Sequence, residues 1–398
     1  SAYDSNAQKV VIAYQDIGNS GYGTAVVGTV DPSDNSISFG TPVVFESANT
    51  YWVAIAYDSN AQKVAIAYLD AGNSNYGTGI VGTVSGTSIS FGSASVFESA
   101  RADNITATFD SSNNKVVFSY QDDGNSGYGT SVVGTISGTS ISFGTPVVFE
   151  SASVEFIDST FDSSNNKVVI VYQDEGNSSH GTAIVGTVSG TSISFGSAAV
   201  FESADTRDIN VAYDSNAQKA VIAYRDVGNS QYGTAIVGTV SGTDITFGTA
   251  AVFATSASEY NGIAYDASAQ KVVIAYADTG SSYHGKAVAG TVSGTSITFG
   301  SIVTYESATT YYHRPVYDSN AERVVIPYTD SGNSDYGTAA VFRSASTNLT
   351  SENFIGFAEN DCTDNGLATI QLGGSVNDKQ TSLTAGQTYF VQTDGTIG

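Results

Sequence analysis

The sequence has one cysteine, Cys362, no methionine, five prolines and few basic residues in 398 positions. A single cysteine excludes an intrachain disulfide. Without methionine the chain starts at Ser1 within a repeat, and we expect it to be a processed or partial form of a longer protein. No apolar run is long enough to span a bilayer, so we expect no membrane insertion. Scarce proline beside 24 tyrosines and 19 phenylalanines favours β-sheets over a disordered chain.

Basic residues are strongly outnumbered, because 14 Lys and Arg face 38 Asp and Glu, for a net charge of −24. No basic patch can offset that field, so we expect nucleic acid and anionic membrane surfaces to be poor partners. Cations and neutral ligands such as sugars fit the charge better. A simpler explanation is that the charge keeps a large β-protein soluble and discourages pairing of sheet edges.

A repeat fills most of the chain. The tyrosine of the phrase VVIAYQD recurs at seven positions: Tyr14, Tyr68, Tyr120, Tyr172, Tyr224, Tyr276 and Tyr328. The first spacing is 54 residues and the other five are 52, because copy one has a longer turn, residues 31–36, where copy two has residues 85–88. A repeat of this length made only of strand-like segments predicts an all-β fold, a seven-bladed β-propeller with one repeat per blade.

Each copy predicts four antiparallel strands, which in copy two are residues 51–57, 63–68, 77–84 and 89–97. We expect the first strand to be innermost. Antiparallel connectivity then places the loop after strand two, and the entry to the next first strand, on one face, with the tight turns on the other. The Asp that ends each first strand, such as Asp58, opens a turn and is interpreted as structural.

The periodicity stops near residue 348, before copy seven has shown a fourth strand. We therefore predict two domains, a propeller over residues 1–347 and a small β module over residues 348–398. The module is expected to help close blade seven, with residues 353–358 as the candidate strand. Truncation of the module at Gly398 is an open alternative.

The loop YxDxGNSxYGT carries an Asp in every copy: Asp16, Asp70, Asp122, Asp174, Asp226, Asp278 and Asp330. Carboxylates beside Gly, Asn and Ser can bind calcium. The same residues also form turns in which Asp accepts backbone N–H groups, and we favour this structural interpretation and predict no firm cofactor. The loop has a loose likeness to the Asp-box of sialidase-type propellers, from which Tyr14 and Tyr22 depart. The replacements His180, His284 and Lys286 are interpreted as surface variation.

The segments that lead into the first strands differ between copies, while the rest of each blade is nearly constant. They contain the only Trp, three of the six Arg, and several Tyr and acidic residues. Because they share one face near the ring axis, we predict a surface there that binds a sugar or a short polar ligand. Neutral drift in exposed loops is the alternative. The candidate ligand-binding residues are Tyr51, Trp52, Arg101, Asp103, Glu155, Arg207, Asp208, Glu259, Tyr260, Tyr311, Tyr312, His313 and Arg314.

The sequence offers little support for an enzyme, because residues copied around a ring cannot each hold a distinct catalytic role. A sialidase would need clustered arginines, whereas Arg101, Arg207 and Arg314 fall in alternate copies. We therefore predict no catalytic residues. Glu155 and Glu259 are the candidates if the chain hydrolyses glycans.

The repeat YDSNAQKVVIAYQDxGNSxYGTAVVGTVSGTSISFGTPVVFESA resembles propeller-like repeats in tail-fibre and other virion proteins of marine bacteriophages. The tail, from NLTSENFIGFAEN to QTDGTIG, is similar to the small β module that follows in such proteins. The resemblance implies an extracellular component of the virion surface, oligomeric within a larger assembly. We predict a non-enzymatic virion protein that binds a host-surface glycan or another virion protein. The alternatives are a purely structural virion module, such as a fibre knob or capsid decoration, and a sialidase-like carbohydrate-active enzyme.

Overall fold

A computed structural model of the chain describes residues 1–344, 357–358 and 370–371. The chain divides into two compact units, Ser1–Ser344 and Ala345–Gly398, close to the boundary predicted at residue 347. In the second unit, Phe357–Ala358 pairs antiparallel with Ile370–Gln371. The rest of the predicted closing strand, residues 353–356, lies outside the described residues.

The first unit is a series of antiparallel sheets, seven in all, and the predicted all-β propeller is confirmed. Each sheet is one blade, numbered here in chain order. The long strands serve two blades, since the first half of each is the outer strand of one blade and the second half is the inner strand of the next. Their bounds are Val43–Asp58, Ser95–Asp110, Val147–Asp162, Ala199–Asp214, Ala251–Asp266 and Val303–Tyr311. Ala2–Asp4 is the inner strand of blade 1, and Val316–Asp318 continues that of blade 7.

The remaining strands of the first unit follow the repeat. The second strands are Lys9–Asp16, Lys63–Asp70, Lys115–Asp122, Lys167–Asp174, Lys219–Asp226, Lys271–Asp278 and Arg323–Asp330. The third strands are Tyr22–Asp31, Tyr76–Ser85, Tyr128–Ser137, His180–Ser189, Tyr232–Ser241, His284–Ser293 and Tyr336–Phe342. Short outer strands are Ser36–Phe39, Ser88–Phe91, Ser140–Phe143, Ser192–Phe195, Asp244–Phe247 and Ser296–Phe299. The 3-10 helices are Ile17–Asn19, Ala71–Asn73, Asp123–Asn125, Glu175–Asn177, Val227–Asn229, Thr279–Ser281 and Ser331–Asn333, and no helix in the described part could cross a membrane.

The outer strand is not the single segment predicted over residues 89–97. It is broken between Ser88–Phe91 and Ser95–Asp110, and the third strand pairs with both pieces. Gly92 lies at the break, where its N–H donates to the carbonyl of Val81 at 3.0 Å. A Cβ atom at Gly92 would overlap the carbonyl oxygen of Thr139 in the next blade. The break therefore lets the tight turn of one blade approach the backbone of its neighbour.

The core lies between adjacent blades, where the second strands are buried along most of their length. Tyr120 of blade 3 packs on Phe97 of the preceding long strand, with ring centroids 5.1 Å apart. Its hydroxyl donates to the carboxylate of Glu98 at 3.0 Å. Equivalent Tyr–Glu bonds of 3.0–3.3 Å occur at Tyr68, Tyr172, Tyr224 and Tyr328. These bonds satisfy a buried hydroxyl and join consecutive repeats.

The ring closes where blade 7 packs on blade 1. Val10 and Val30 of blade 1 form one apolar cluster with Ala321 and Val325 of blade 7. Arg323 occupies the place of a Lys in the other six copies, and its guanidinium reaches the longer turn of copy one. Its Nε donates to Asn35 Oδ1 at 2.6 Å, and its Nη2 donates to the carbonyl of Pro32 at 2.9 Å. The longer turn, which causes the spacing of 54 residues, and Arg323 therefore form one contact that closes the ring.

Replacing Arg323 by Ala is expected to lower the free energy of unfolding by about 2 kcal/mol, because charged hydrogen bonds to blade 1 are lost. Lys63→Ala is the matched control, since Lys63 holds the same place in blade 2 and, within the described part of the chain, its ammonium donates only to the adjacent Gln62 carbonyl. Urea unfolding of both variants measures the difference. Equal losses would show that Arg323 does not stabilise the closure.

Candidate functional site

The inner strands of blades 2–6 each contain a β-bulge near the start. In blade 2, Trp52 and Val53 stand opposite one residue, because Tyr51 pairs with Leu69 and Ala54 with Ala67. The same shift recurs in blades 3, 4, 5 and 6. In blade 7 the strand is interrupted at the equivalent place, after Tyr311. Bulges redirect side chains and are common beside binding sites.

One residue at each of these six places has a left-handed backbone, with φ between 47° and 57°: Trp52, Asn104, Phe156, Asp208, Tyr260 and Tyr312. Asn and Asp tolerate this conformation, whereas large aromatic residues rarely adopt it. Such backbone strain costs about 1–3 kcal/mol per residue. Trp52 is nevertheless 47% exposed and Tyr312 is 62% exposed, so burial of these side chains does not offset the strain.

All six places lie at one end of the inner strands, which we call the mouth. The loop after the second strand meets the entry to the next inner strand there, since the N–H of Thr50 donates to the carbonyl of Gly21 at 3.0 Å. Equivalent bonds start the inner strands of blades 4–7. These bonds confirm that the two connections share a face, as the strand order predicted. Trp52, Arg207 and Tyr312 therefore lie at the same mouth, at or next to the strained position.

Polar contacts link neighbouring inner strands below the mouth. Asp158 of blade 4 accepts from Thr106 Oγ1 of blade 3 at 3.1 Å and from the N–H of Val211 of blade 5 at 2.9 Å. Asn210 of blade 5 donates to the carbonyl of Asn261 of blade 6 at 2.7 Å. Burial raises the pKa of Asp158, and the Val211 N–H and the charge of Arg314 oppose that shift. The network therefore links the inner strands of blades 3–6.

Arg225 is the best-enclosed cation at the mouth, with its side chain 12% exposed. Its Nη1 donates to Glu259 Oε1 of blade 6 at 2.8 Å. Its Nε lies 3.0 Å from Asp208 Oδ2 without the alignment of a hydrogen bond. Asp208 Oδ1 accepts from the N–H of Tyr260 at 3.1 Å. Burial raises the pKa of Asp208, and Arg225 is the strongest opposing influence.

Arg101 and Arg207 each pair with an aspartate two residues away along the chain. Arg101 lies 2.7 Å from Asp103 and 3.4 Å from Asp123. Arg207 lies 2.8 Å from Asp205 and is half exposed.

The exposed carboxylate at the mouth is Glu155. Burial and Glu175 raise its pKa, whereas Arg207 lowers it. Tyr51 is exposed, and its hydroxyl accepts from Asn49 Nδ2 at 2.6 Å.

Three predicted tyrosines, Tyr260, Tyr311 and Tyr312, meet across blades 6 and 7. The ring centroid of Tyr260 is 5.3 Å from that of Tyr311 and 5.0 Å from that of Tyr312, both in edge-to-face geometry. Tyr311 and Tyr312 are 6.3 Å apart. We call this group the tyrosine cluster.

His313 does not belong on the ligand surface, contrary to the prediction, because its side chain is 0% exposed. Its Nδ1 lies 2.9 Å from the carbonyl oxygen of Tyr260, and its Nε2 lies 3.0 Å from Thr310 Oγ1. Burial lowers its pKa to about 4, so the imidazole is neutral at pH 7. Arg314 is exposed, and its charge acts on Asp158 and Asp208 of blades across the ring.

In several blades the repeated loop aspartate accepts hydrogen bonds from N–H groups of its own loop. Asp70 Oδ1 accepts from the N–H groups of Gly72 and Asn73 at 2.9 and 3.2 Å. In blade 6, Lys286 is more than surface variation, because its ammonium contacts Asp278. Among the described residues no group of three or more His, Cys, Asp or Glu could hold a metal ion.

Sequence reasoning missed Arg225 and Asp158. Arg225 is the penultimate residue of a second strand, at a position where the other copies have Gln, Leu, Ala or Thr. Comparing the copies position by position would have identified it. Asp158 lies within an inner strand, and only its hydrogen bonds to blades 3 and 5 show that it joins the two neighbouring inner strands.

Comparisons with known proteins support the fold alone. No family model and no curated protein matches the chain. A Lactobacillus plantarum protein of known structure is 12% identical over 84% of this chain and 97% of its own, with a TM-score of 0.57. The periplasmic gluconolactonase of Pseudomonas aeruginosa is 9% identical over 77% and 85%, with a TM-score of 0.54. The SapL1 lectin, solved with alpha methyl fucoside, is 13% identical over 74% and 96%, with a TM-score of 0.44.

Proposed function

We propose that the mouth of the propeller binds a glycan without cleaving it. One observation carries the proposal: two exposed aromatic side chains, Trp52 and Tyr312, stand at strained backbone positions of the inner strands of blades 2 and 7, around one mouth. Residues with strained backbone conformations cluster at ligand-binding and active sites. Aromatic rings beside prearranged carboxylates and guanidinium groups fit the apolar faces and hydroxyl groups of sugars.

We also propose where the protein binds its ligand. The resemblance of repeat and tail to virion proteins favours a host-surface glycan as the ligand, presented to an oligomeric protein on a virion surface. A partner protein of the same particle is the alternative ligand. Calcium is not required by the proposal.

Glycan-array binding tests it. We expect the protein to bind a defined set of glycans, and a Trp52→Ala/Tyr312→Ala variant to lose at least about tenfold in affinity, because both rings are central contacts. Phe39→Ala is the control, since Phe39 is an aromatic residue that is 45% exposed and ends the short outer strand Ser36–Phe39, away from the inner strands. Equal binding by all forms would remove the site. Binding by none would favour a purely structural module.

Hydrolysis is the second candidate, favoured by the raised pKa of Glu155. A general acid must hold its proton near working pH. Release of free sugar from a bound glycan, abolished by Glu155→Gln with binding retained, would establish hydrolysis in place of simple binding.

A further inference from the structure

Blade 7 differs from the other blades at the edge of its third strand. In blades 1–6 the first residues of the third strand pair with the outer half of the next long strand, as Gly129 pairs with Glu150 in blade 3. In blade 7 the third strand, Tyr336–Phe342, pairs with the second strand alone among the described residues. The free side of residues 336–339 is therefore an open sheet edge, which we call the blade 7 edge.

The six paired edges show which side chains fit such a place. In blade 3 a Cβ atom at Gly129 would overlap the ring of Phe149, which packs directly over this glycine. The ring centroid of Phe149 is also 5.2 Å from that of Tyr172 in the next blade. Both contacts recur at all six edges, with five phenylalanines and Tyr305. The residue after Phe149 is Glu150, whose carboxylate accepts from the Tyr172 hydroxyl at 3.0 Å.

The equivalent glycine and tyrosine at the blade 7 edge are uncovered. Gly337 holds the place of Gly129, and no atom in the described part of the chain lies within 4 Å of its Cβ position. Tyr14 of blade 1 holds the place of Tyr172 and is partly exposed, whereas the tyrosines of the six other copies are at most 6% exposed. The contact surface for an aromatic ring is therefore present and accessible.

Blades 7 and 1 are spaced like other neighbouring blades. The N–H of Asn320 in blade 7 donates to the hydroxyl of Tyr3 in blade 1 at 3.2 Å. The N–H of Asn6 in blade 1 donates in the same way to the hydroxyl of Tyr57 in blade 2 at 3.3 Å. The uncovered glycine and tyrosine therefore border one gap, of the size that an aromatic ring fills between the other blades.

The blade 7 edge lacks the residues that keep sheet edges unpaired. Tyr336–Phe342 contains no charged residue and no proline. Edges that stay unpaired in native proteins usually carry Lys, Pro or a bulge. Residues 345–398 contain no aromatic residue followed directly by Glu, the pattern that covers most of the other edges. These observations favour pairing with a strand of another chain.

We infer that the blade 7 edge binds an extended strand of a second polypeptide chain, with the pattern apolar, apolar, aromatic, Glu. The Glu of that strand pairs opposite Gly337, its aromatic ring fills the gap beside Tyr14, and its carboxylate accepts from the Tyr14 hydroxyl. Addition of a strand to an open edge is a recurring mode of recognition, in which main-chain bonds give affinity and side-chain pockets give specificity. The inference goes beyond glycan binding, because it involves neither Trp52 nor Tyr312.

A labelled peptide with the sequence of residues 145–152, TPVVFESA, tests the inference. Fluorescence anisotropy during titration with the 398-residue protein measures the affinity. We expect saturable binding that weakens at least about tenfold when Phe149 of the peptide is replaced by Ala, because the ring fills the gap. Gly337→Ala in the protein should also weaken binding at least about tenfold, since its Cβ atom would overlap the bound ring. Gly300→Ala is the control, because its Cβ position is likewise free of close contacts among the described residues, and it should bind the peptide like the original protein.

The Glu of the peptide tests how the strand is placed. Tyr14→Phe should weaken binding of the original peptide at least about fivefold, because a hydrogen bond to a carboxylate is lost. The same variant should not change binding of a peptide in which Glu150 is replaced by Ala. Circular dichroism of each variant establishes that it is folded.

Three results would each overturn the inference: no saturable binding, equal binding of the Phe149→Ala peptide, or binding unaffected by Gly337→Ala. Equal effects of Tyr14→Phe on both peptides would overturn the assigned placement of the strand. Glycan binding that depends on Trp52 would survive each of these results, so the two proposals fail separately.

Discussion

The Gly144→Ala variant is expected to lose about 3 kcal/mol of unfolding free energy, at the upper end of the usual cost of overpacking. Gly144 follows the short outer strand Ser140–Phe143 of blade 3. A Cβ atom there would overlap the carbonyl oxygen of Thr191, which belongs to the tight turn of blade 4. A backbone atom cannot move aside as a flexible side chain can, so either the two blades separate or the outer strand shifts.

Gly300→Ala is the matched control, because Gly300 follows the short outer strand of blade 6 at the equivalent position of the repeat. Among the described residues the nearest atom to its Cβ position is the carbonyl oxygen of Ala289, at an ordinary 3.7 Å. We expect a change below about 0.5 kcal/mol there. Urea unfolding of both variants measures the difference. A similar small loss at both positions would mean that neighbouring blades separate more easily than the packing indicates.

The Arg225→Ala variant is expected to lose about 3 kcal/mol at neutral pH, because it leaves the carboxylates of Asp208 and Glu259 unpaired in a largely enclosed site. Arg207→Ala is the control, since Arg207 pairs with Asp205 but is 47% exposed. Exposed pairs contribute about 1 kcal/mol or less, so the control should change little. Chemical denaturation at pH 7 gives both values.

The loss at Arg225 should also depend on pH. The pKa of Asp208 lies above its ordinary value of 3.8, chiefly through burial, and removing Arg225 removes the strongest opposing influence. Between 3.8 and the raised pKa the folded chain binds more protons at Asp208 than the unfolded chain does. Stability therefore rises as pH falls through that window, and the deficit of Arg225→Ala should be smaller at a mildly acidic pH than at pH 7. A deficit that is the same at both pH values would contradict this account.

The fold could be predicted because the information for it is local and repeated. Each copy carries its own strand patterns and turn residues, such as Asp58, whose carboxylate accepts from the N–H groups of Asn60 and Ala61. Antiparallel connectivity then determines which connections share a face. The position of the variable residues at one mouth followed from that logic alone.

The strained conformations at the mouth could not be predicted in the same way. The inner strands read as ordinary strands, and nothing in the phrases around Trp52 or Tyr312 contains the Gly that usually marks a left-handed residue. The bulge becomes visible only when Tyr51 and Ala54 are seen to pair with Leu69 and Ala67. Likewise His313 reads as a surface residue until the packing of Tyr305 and Tyr328 shows it buried.

The sequence by itself determined the all-β class, the number of blades, and the face on which the copies diverge, because strand periodicity and turn chemistry act within one repeat. Only the tertiary structure decided which of the divergent residues meet. Three contacts join residues of different repeats or of distant parts of the inner ring. They are the pairing of Arg225 with Asp208 and Glu259, the packing of Tyr260 on Tyr311, and the contact of Arg323 with the turn of copy one. Such contacts depend on the register of neighbouring blades, which no single repeat encodes.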